Sequence, residues 1–262
     1  MRYFLELSYN GKYFSGWQIQ KSKHKKQISI QDTLAKCIAL ILRKNISILG
    51  ASRTDTGVNA IQMFAHFDSV KVLKTKKFVN KINILLPNYI VIRNIIQVKT
   101  NASARYDVIS RHYQYRINLG RGPFSYNYLK FPFRKINYGI MNKAGFILKN
   151  LDDFSPFGKK ISPNSLNLCK LYYFTWRIRN RVLYIDLIAN RFLRNMVRRI
   201  IGTFLYLGIG KINMLEFCSF IKKQKKILSC PSVPAKGLYL VRVRYPKSIF
   251  LESCKRTLFK PV

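Results

Sequence analysis

The chain has 262 residues, and its 48 lysines and arginines against 10 aspartates and glutamates give a formal net charge of +38. This length accommodates one large domain or two modest ones, and the sequence has no apolar run long enough to span a bilayer. The charge favours a phosphate-bearing partner, although acidic lipids would also fit it and a preference for A/T-rich, lysine-coding codons would raise it too.

The first half of the chain alternates between strand-like and helix-like patterns. Strands are predicted at residues 2–9, 46–49, 62–67 and 90–98. The capping-box-like segment Ser29-Ile-Gln-Asp32 begins a helix of roughly three to four turns. A second helix follows a lysine-rich stretch and ends near Pro87.

The second half repeats this order of elements. Strands are predicted at residues 112–118, 171–178, 182–189 and 238–245, and helices at residues 142–148 and 192–207. The repetition indicates an α+β fold of two similar lobes, each with a mixed or antiparallel sheet flanked by helices. We expect an N-terminal lobe at residues 1–104, a C-terminal lobe at 105–246 and a basic tail at 247–262.

Cysteines and histidines form no recognisable disulfide or metal pattern. They are scattered along the chain as Cys37, Cys169, Cys218, Cys230, Cys254, His24, His66 and His112. We therefore expect reduced thiols, no structural zinc and no metal-dependent chemistry. Glu6 interrupts the apolar N-terminus, so we expect no signal peptide and predict a soluble, cytoplasmic protein.

The most informative segment is residues 50–60, Gly-Ala-Ser-Arg-Thr-Asp-Thr-Gly-Val-Asn-Ala. Thr-Asp-Thr-Gly is typical turn chemistry, and in most proteins such a stretch is only a turn. Here Arg53 stands two residues before Asp55, and glycines lie on both sides. This arrangement is suited to holding an ionised carboxylate on irregular backbone, and in so basic a chain it favours chemistry on a polyanion, RNA first of all.

The predicted helix at residues 192–207 is the second informative segment. Its apolar residues form one buried face, and Arg191, Arg194 and Arg198 follow spacings of three and four that place them together on another face. A solvated arginine face is the alternative interpretation of this pattern.

Several motifs together resemble one family. Residues 50–60 with Phe64-Ala-His66-Phe67 are similar to G-x-x-R-T-D-x-G-V-H-A…H-F, and residues 190–202 to N-x-F-x-x-x-M-V-R-x-x-x-G. Residues 110–115 resemble A-R-R-Y-x-Y, residues 104–106 A-R-F, residues 153–157 D-F-x-x-F and residues 13–18 Y-x-G-W-Q. These motifs, from Tyr3 to Pro246, resemble the tRNA pseudouridine synthase A family.

The resemblance implies roles for individual residues. Asp55 is expected to be the nucleophile, Arg198 its ion-pair partner and Tyr113 the ring that stacks on the target base, although a strand tyrosine is more often a core residue. The expected substrate-binding residues are Tyr113, Arg53, Arg105, Arg111, Arg191 and Arg194. Trp17 is expected either near the RNA cleft or in the core.

The resemblance also implies an activity and an assembly. Members of this family are cofactor-free isomerases that convert uridine to pseudouridine at positions 38–40 of the tRNA anticodon arm. The aspartate attacks either the sugar or the base, and the sequence leaves both open. The implied architecture has a long mixed sheet and a basic cleft between the two lobes. The implied partners are tRNA and a second copy of the chain, with no membrane.

Four positions depart from the family pattern. Asn59 replaces a histidine, Ser52 a usual glycine and His112 a common arginine, and Cys169 falls where a gapless comparison expects an arginine. We expect these changes to bear on RNA affinity more than on the chemical step. Two other functions stay open: a basic RNA-binding protein without catalysis, and a membrane-surface protein, for which the sequence shows no amphipathic helix with exposed apolar residues and no lipidation signal.

Overall fold

The computed structural model describes residues 1–20, 28–120, 129–130, 136–158, 167–222 and 232–251. Its strands are β1 (Arg2–Tyr9), β2 (Leu49–Gly50), β3 (Asn59–Asp68), β4 (Ile90–Val98), β5 (Ser110–Asn118), β6 (Leu129–Lys130), β7 (Leu171–Arg179), β8 (Val182–Ala189) and β9 (Leu238–Arg244). Its α-helices are α1 (Ile30–Leu42), α2 (Thr75–Leu85), α3 (Tyr138–Lys149), α4 (Met196–Gly208) and α5 (Met214–Ile221). The predicted α+β class is confirmed. Among the described helices, none is long and apolar enough to cross a membrane.

The chain divides into two compact units. The first contains residues 1–110 together with the chain from Tyr239 onward, and the second contains Arg111–Leu238. These bounds differ from the expected 1–104 and 105–246, because β9 pairs in parallel with β3 of the first unit. The expected tail at 247–262 begins as ordered chain, since Lys247–Ile249 forms a 3-10 helix. Its residues beyond 251 lie outside the described part.

In the first unit the sheet has the strand order β4-β1-β3-β9, with β2 beside β3. The centre is antiparallel: Leu5 of β1 lies between Ala65 of β3 and Ile95 of β4. Both faces of β1 are covered, because Phe4 is as fully buried as Leu5. Each such side chain contributes on the order of 1.5–3 kcal/mol through burial.

Helix α1 begins where the sequence predicts it. The side chain of Ser29 accepts a hydrogen bond from the backbone N–H of Asp32 at 3.1 Å, which caps the helix. The predicted strand at residues 46–49 is largely wrong, because β2 contains only Leu49 and Gly50.

In the second unit β5, β8 and β7 form an antiparallel sheet, and β6 pairs with β5 in parallel. Asn180 and Arg181 join β7 to β8 with φ angles of 50° and 59°, as a two-residue hairpin turn of type I′ requires. Phe204 of α4 packs on Phe174 of β7 with ring centroids 4.6 Å apart. Both rings are buried in the helix–sheet core of this unit.

The predicted start of α4 at residue 192 is wrong. Asn195 has a left-handed backbone with φ of 64°, so α4 begins at Met196. Arg191 and Arg194 therefore precede the helix, and the predicted helical face of three arginines does not form. The sequence pattern was misleading because the apolar side chains of Phe192 and Leu193 continue the helical spacing across a non-helical turn.

Candidate functional site

Asp55 begins a tight turn in the loop between β2 and β3. The backbone N–H of Val58 donates to the carbonyl of Asp55 at 3.2 Å, and Gly57 has a φ of 79°. A positive φ at this third turn position is typical of a type II turn and favours glycine. The side chain of Asp55 is half-buried, while the preceding Arg53 is exposed. The loop thus carries a half-buried carboxylate two residues after an exposed arginine.

The segment before α1 supports this loop through its backbone. The N–H of Trp17 donates to the carbonyl of Thr54 at 3.1 Å, and Thr56 Oγ1 donates to the carbonyl of Ser15 at 3.0 Å. Gly16 has a φ of 99°, and a Cβ there would lie 2.6 Å from the Thr54 carbonyl oxygen. Any side chain at Gly16 would therefore displace the loop that carries Asp55.

Trp17 is a core residue and supports the loop indirectly. Its side chain is 1% exposed, and its ring lies 6.5 Å from the ring of Tyr9. Of the two interpretations of this motif, the structure favours packing over direct contact with RNA.

Asn59, the departure from the expected histidine, has a local structural contact. Its side-chain Oδ1 accepts the backbone N–H of Gly11 at 2.9 Å, and both residues are buried. This bond ties the end of the Asp55 loop to the turn that follows β1. The second departure, Ser52, is half-buried in the same loop.

Arg105 lies in a turn that the buried His66 and the half-buried Tyr245 hold in place. The backbone N–H of Ala104 donates to His66 Nδ1 at 3.0 Å, and the Tyr245 hydroxyl donates to the carbonyl of Ala104 at 2.5 Å. Burial, assisted by the positive charge of Arg2, lowers the pKa of His66. A neutral His66 keeps its acceptor nitrogen for this bond. The guanidinium of Arg105 lies over the exposed ring of Tyr106, 5.6 Å from the ring centroid.

Tyr113 occupies the middle of β5. Its side chain is 6% exposed, and its ring packs edge-to-face against Phe192 with centroids 5.2 Å apart and planes at 90°. Such pairs contribute roughly 0.5–1.5 kcal/mol beyond burial. Tyr113 is therefore well packed, and a base that stacked on it would join or replace Phe192.

The arginines expected to bind substrate in the second unit differ in their surroundings. Arg111 donates from Nη1 to the carbonyl of Asn190 at 2.8 Å, whereas Arg191 and Arg194 are exposed. Arg111 thus anchors the start of β5 to the segment after β8. The two exposed arginines have the accessibility that phosphate contacts require.

Arg198 lies in the first turn of α4 and is anchored to the segment before β9. Its Nε donates to the carbonyl of Val233 at 2.7 Å, and the N–H of Val233 donates to the carbonyl of Arg198 at 3.3 Å. Nearby, the Tyr115 hydroxyl donates to the carbonyl of Pro234 at 2.8 Å. Burial raises the pKa of Tyr115, and the charge of Arg198 opposes that rise.

The sequence analysis did not identify a buried aspartate that accepts hydrogen bonds from three side chains. Asp186 of β8 is 1% exposed and accepts hydrogen bonds from His112 Nε2 at 2.8 Å, Gln114 Nε2 at 2.9 Å and Arg177 Nη1 at 2.9 Å. Burial acts to raise the pKa of Asp186, but the bonds from His112 and Gln114 and the charge of Arg177 outweigh it and lower that pKa. Because His112 and Gln114 flank Tyr113, Asp186 fixes β5 on both sides of that ring. The sequence feature that could have indicated this cluster is the single aspartate within the otherwise apolar strand Val-Leu-Tyr-Ile-Asp-Leu-Ile-Ala.

Cys169 has no catalytic features. Its Sγ lies 2.9 Å from the carbonyl of Arg191, and burial raises its pKa to about 11. A thiol with so high a pKa is a poor nucleophile at neutral pH. Cys37, Cys169 and Cys218 are free thiols, and Cys230 and Cys254 lie outside the described residues.

The predicted site residues are distributed over both units. Arg53, Asp55 and Arg105 belong to the first, and the second contains Arg111, Tyr113, Arg191, Arg194 and Arg198.

Comparison with known proteins gives consistent matches. A family model described as tRNA pseudouridine synthase matches residues 151–246. A protein of Azobacteroides pseudotrichonymphae genomovar. CFP2 named tRNA pseudouridine synthase A is 39% identical over 249 residues, covering 95% of this chain and 98% of that protein. Proteins of the same name are 39% identical over 251 residues in Bacteroides fragilis (95% of this chain, 98% of that protein) and 31% identical over 249 residues in Neisseria meningitidis serogroup C (94% and 93%).

Proposed function

The chain belongs to the tRNA pseudouridine synthase A family, and from that premise we propose that it isomerises uridine to pseudouridine in tRNA. The observation that carries the proposal is the buttressed turn of Asp55, a half-buried carboxylate on a loop fixed by Trp17 and Asn59. A carboxylate that acts as a nucleophile must be held in position by groups that do not themselves react.

The reaction rearranges atoms without consuming any. The bond from N1 of the base to C1′ of the ribose breaks, the base turns, and C5 bonds to C1′. C5 then loses its proton and N1 ends with one, so no oxidant, reductant or cofactor is needed. In our proposal the carboxylate of Asp55 forms the transient covalent bond, either to the sugar or to the base.

Asp55 must be ionised to act as a nucleophile. We assign to Arg198 the role of stabilising the negative charge of this carboxylate. An opposite charge within a few ångströms favours the carboxylate form. The bond from Arg198 Nε to the Val233 carbonyl supports the assignment, because it fixes the orientation of the guanidinium. Arg53, which is exposed two residues before Asp55, is assigned to RNA phosphate.

The remaining assignments concern the substrate. Tyr113 stacks on the extruded base, for which an aromatic face is the usual partner. Arg105, Arg191 and Arg194 contact phosphate, and their partial or full exposure supports this role. Arg111 contributes to the same surface, although one of its nitrogens already anchors the Asn190 carbonyl.

We further propose that the targets are uridines 38–40 of the anticodon arm, that the enzyme acts as a cytoplasmic homodimer, and that one tRNA contacts both subunits. The net charge of +38 supports the broad phosphate contact that this assembly implies.

The test is to incubate the purified protein with unmodified tRNA transcripts and to map new pseudouridines by position. We expect modification at positions 38–40 without any added cofactor. Pseudouridine elsewhere would overturn the anticodon-arm assignment. Tight binding of tRNA with no pseudouridine would identify a non-catalytic RNA-binding protein instead.

A further inference from the structure

Two exposed tyrosine rings lie against each other at a tilt in the first unit. The rings of Tyr13 and Tyr89 have centroids 3.9 Å apart and planes at 31°, yet the residues are 50% and 42% exposed. The ammonium of Lys12 lies 5.2 Å from the centroid of the Tyr13 ring. We call these three residues the tyrosine platform.

The backbone under the platform is fixed. Asn10 Oδ1 accepts the N–H of Lys12 at 3.1 Å, and the N–H of Asn10 donates to the carbonyl of Tyr89 at 2.9 Å. The neighbouring hydroxyl of Tyr89 and the charge of Lys12 lower the pKa of Tyr13. The backbone that carries both rings is therefore fixed before any ligand arrives.

The platform lies at the same end of the first unit's sheet as the Asp55 loop. Tyr9, the last residue of β1, pairs with Ala60 at the start of β3 and with Ile90 at the start of β4. Asn59 closes the Asp55 loop and bonds to Gly11, which precedes Lys12. Lys12 and Tyr13 follow the end of β1 and Tyr89 precedes β4, so the platform lies at the end of the sheet where the Asp55 loop enters β3.

An exposed aromatic surface beside a cation is what an unpaired nucleotide requires. Bases stack on aromatic side chains whatever their sequence, and a nearby lysine attracts the adjoining phosphate. When a uridine leaves its stack, its neighbours lose a stacking partner. We infer that Lys12, Tyr13 and Tyr89 form a stacking site for an unpaired base next to the target uridine. This inference rests on the proposed function.

The first experiment measures the affinity for an unmodified tRNA transcript. Base stacking contributes about 1–3 kcal/mol, so Tyr13→Ala and Tyr89→Ala should each weaken binding at least about fivefold, while Tyr13→Phe and Tyr89→Phe stay near wild type. The salt dependence should be unchanged in the alanine variants and should fall by about one unit of log–log slope in Lys12→Gln. Phe146→Ala is the control, because Phe146 is 73% exposed on α3 of the other unit.

The second experiment places 2-aminopurine next to the target uridine. Its fluorescence should be quenched on binding to the wild type and to the phenylalanine variants, and not on binding to the alanine variants. Unchanged affinity and quenching in Tyr13→Ala and Tyr89→Ala, with only a lower melting temperature, would reduce the platform to a surface packing contact. A change of oligomeric state in those variants would assign it to an interface between copies and overturn the inference.

The two proposals fail in distinguishable ways. Wild-type protein that forms pseudouridine while the alanine variants bind like wild type contradicts the platform alone. Wild-type protein that forms none contradicts the proposed function first.

Discussion

The hydroxyl of Tyr9 lies 2.8 Å from Thr54 Oγ1, and the two groups share a buried hydrogen bond directly beside Asp55. Tyr9 is 4% exposed and Thr54 7%. Because the bond joins the last residue of β1 to the residue before the proposed nucleophile, it transmits the rigidity of the sheet to the catalytic turn. Rigid support of this kind determines how well a nucleophile is aligned.

Tyr9→Phe should therefore affect both stability and catalysis. The lost partner leaves the Thr54 hydroxyl buried and unsatisfied, at a cost of about 1–2 kcal/mol in the free energy of unfolding. The single-turnover rate should fall roughly three- to tenfold with tRNA affinity unchanged. Urea unfolding and a single-turnover assay measure the two effects.

The matched control is the double variant Tyr9→Phe/Thr54→Val. It removes both polar groups, so it should recover most of the lost stability. If Tyr9→Phe alone kept the wild-type stability and rate, the hydrogen bond would have no role in holding the turn.

Arg198→Met should reduce the single-turnover rate more than it reduces tRNA affinity. Without the guanidinium the carboxylate of Asp55 loses its proposed charge partner, so the chemical step should slow. The single-turnover rate at saturating enzyme, set beside the tRNA affinity, measures this directly. Arg198→Lys, which keeps the charge, should recover part of the rate.

Arg194→Met provides the comparison for that experiment, since Arg194 is exposed and precedes α4. It should weaken tRNA binding and leave the single-turnover rate at saturating enzyme unchanged. If Arg198→Met behaved in the same way, Arg198 would be one phosphate contact among several.

Asp186 predicts a component of acid denaturation. Its folded pKa is lowered, so its stabilising contribution is present above the unfolded value near about pH 4 and is lost as the pH falls through the folded pKa. Asp186→Asn should be less stable by about 1–3 kcal/mol at neutral pH and should lose less stability on acidification. Urea midpoints measured between about pH 5 and pH 2 test this. Parallel curves for the two proteins would contradict it.

His66 predicts an effect of pH on tRNA binding. Its pKa is lowered by burial and by Arg2, while Asp68 and Asp107 act in the opposite direction. The neutral ring is therefore the stabilising form, and its contribution is lost as the pH falls below about 6.5 and through the folded value. Protonation would remove the acceptor for Ala104 and loosen the turn of Arg105.

The direction in which tRNA affinity changes with pH distinguishes two causes. An added positive charge by itself would tighten binding to RNA, so weaker binding on acidification indicates loss of the turn. His66→Asn keeps an acceptor oxygen and should bind tRNA with less pH dependence than the wild type. Equal pH dependence in the two proteins would assign the effect to another group.

Local patterns predicted the elements that depend on local physics. β4 and β8 match their predicted bounds because both runs are rich in apolar and β-branched residues and adjoin turn residues. Helix α5 was missed although Asn213 and Glu216 form a capping box that the sequence displays. The start of α4 was misplaced because nothing in the apolar spacing reveals the left-handed backbone of Asn195.

Such local patterns could not predict contacts between segments that are distant in the sequence. The pairing of β9 with β3 joins residues separated by most of the chain. Asp186 gains its partners only when β5 and β7 lie on either side of β8. The Asp55 motif could be identified from the sequence because its turn chemistry is local. The contacts of Tyr9, Trp17 and Asn59 that hold this loop form only in the folded sheet.

The most direct measurement compares the wild type, Asp55→Asn and the surface control Asp152→Asn in single turnover on unmodified tRNA. Asn is nearly isosteric with Asp and removes only the nucleophile, and Asp152 is exposed. We predict that Asp55→Asn binds tRNA like the wild type and forms no pseudouridine, while Asp152→Asn forms it at the wild-type rate. Pseudouridine formation by pure Asp55→Asn protein would contradict the assignment of Asp55 as the nucleophile.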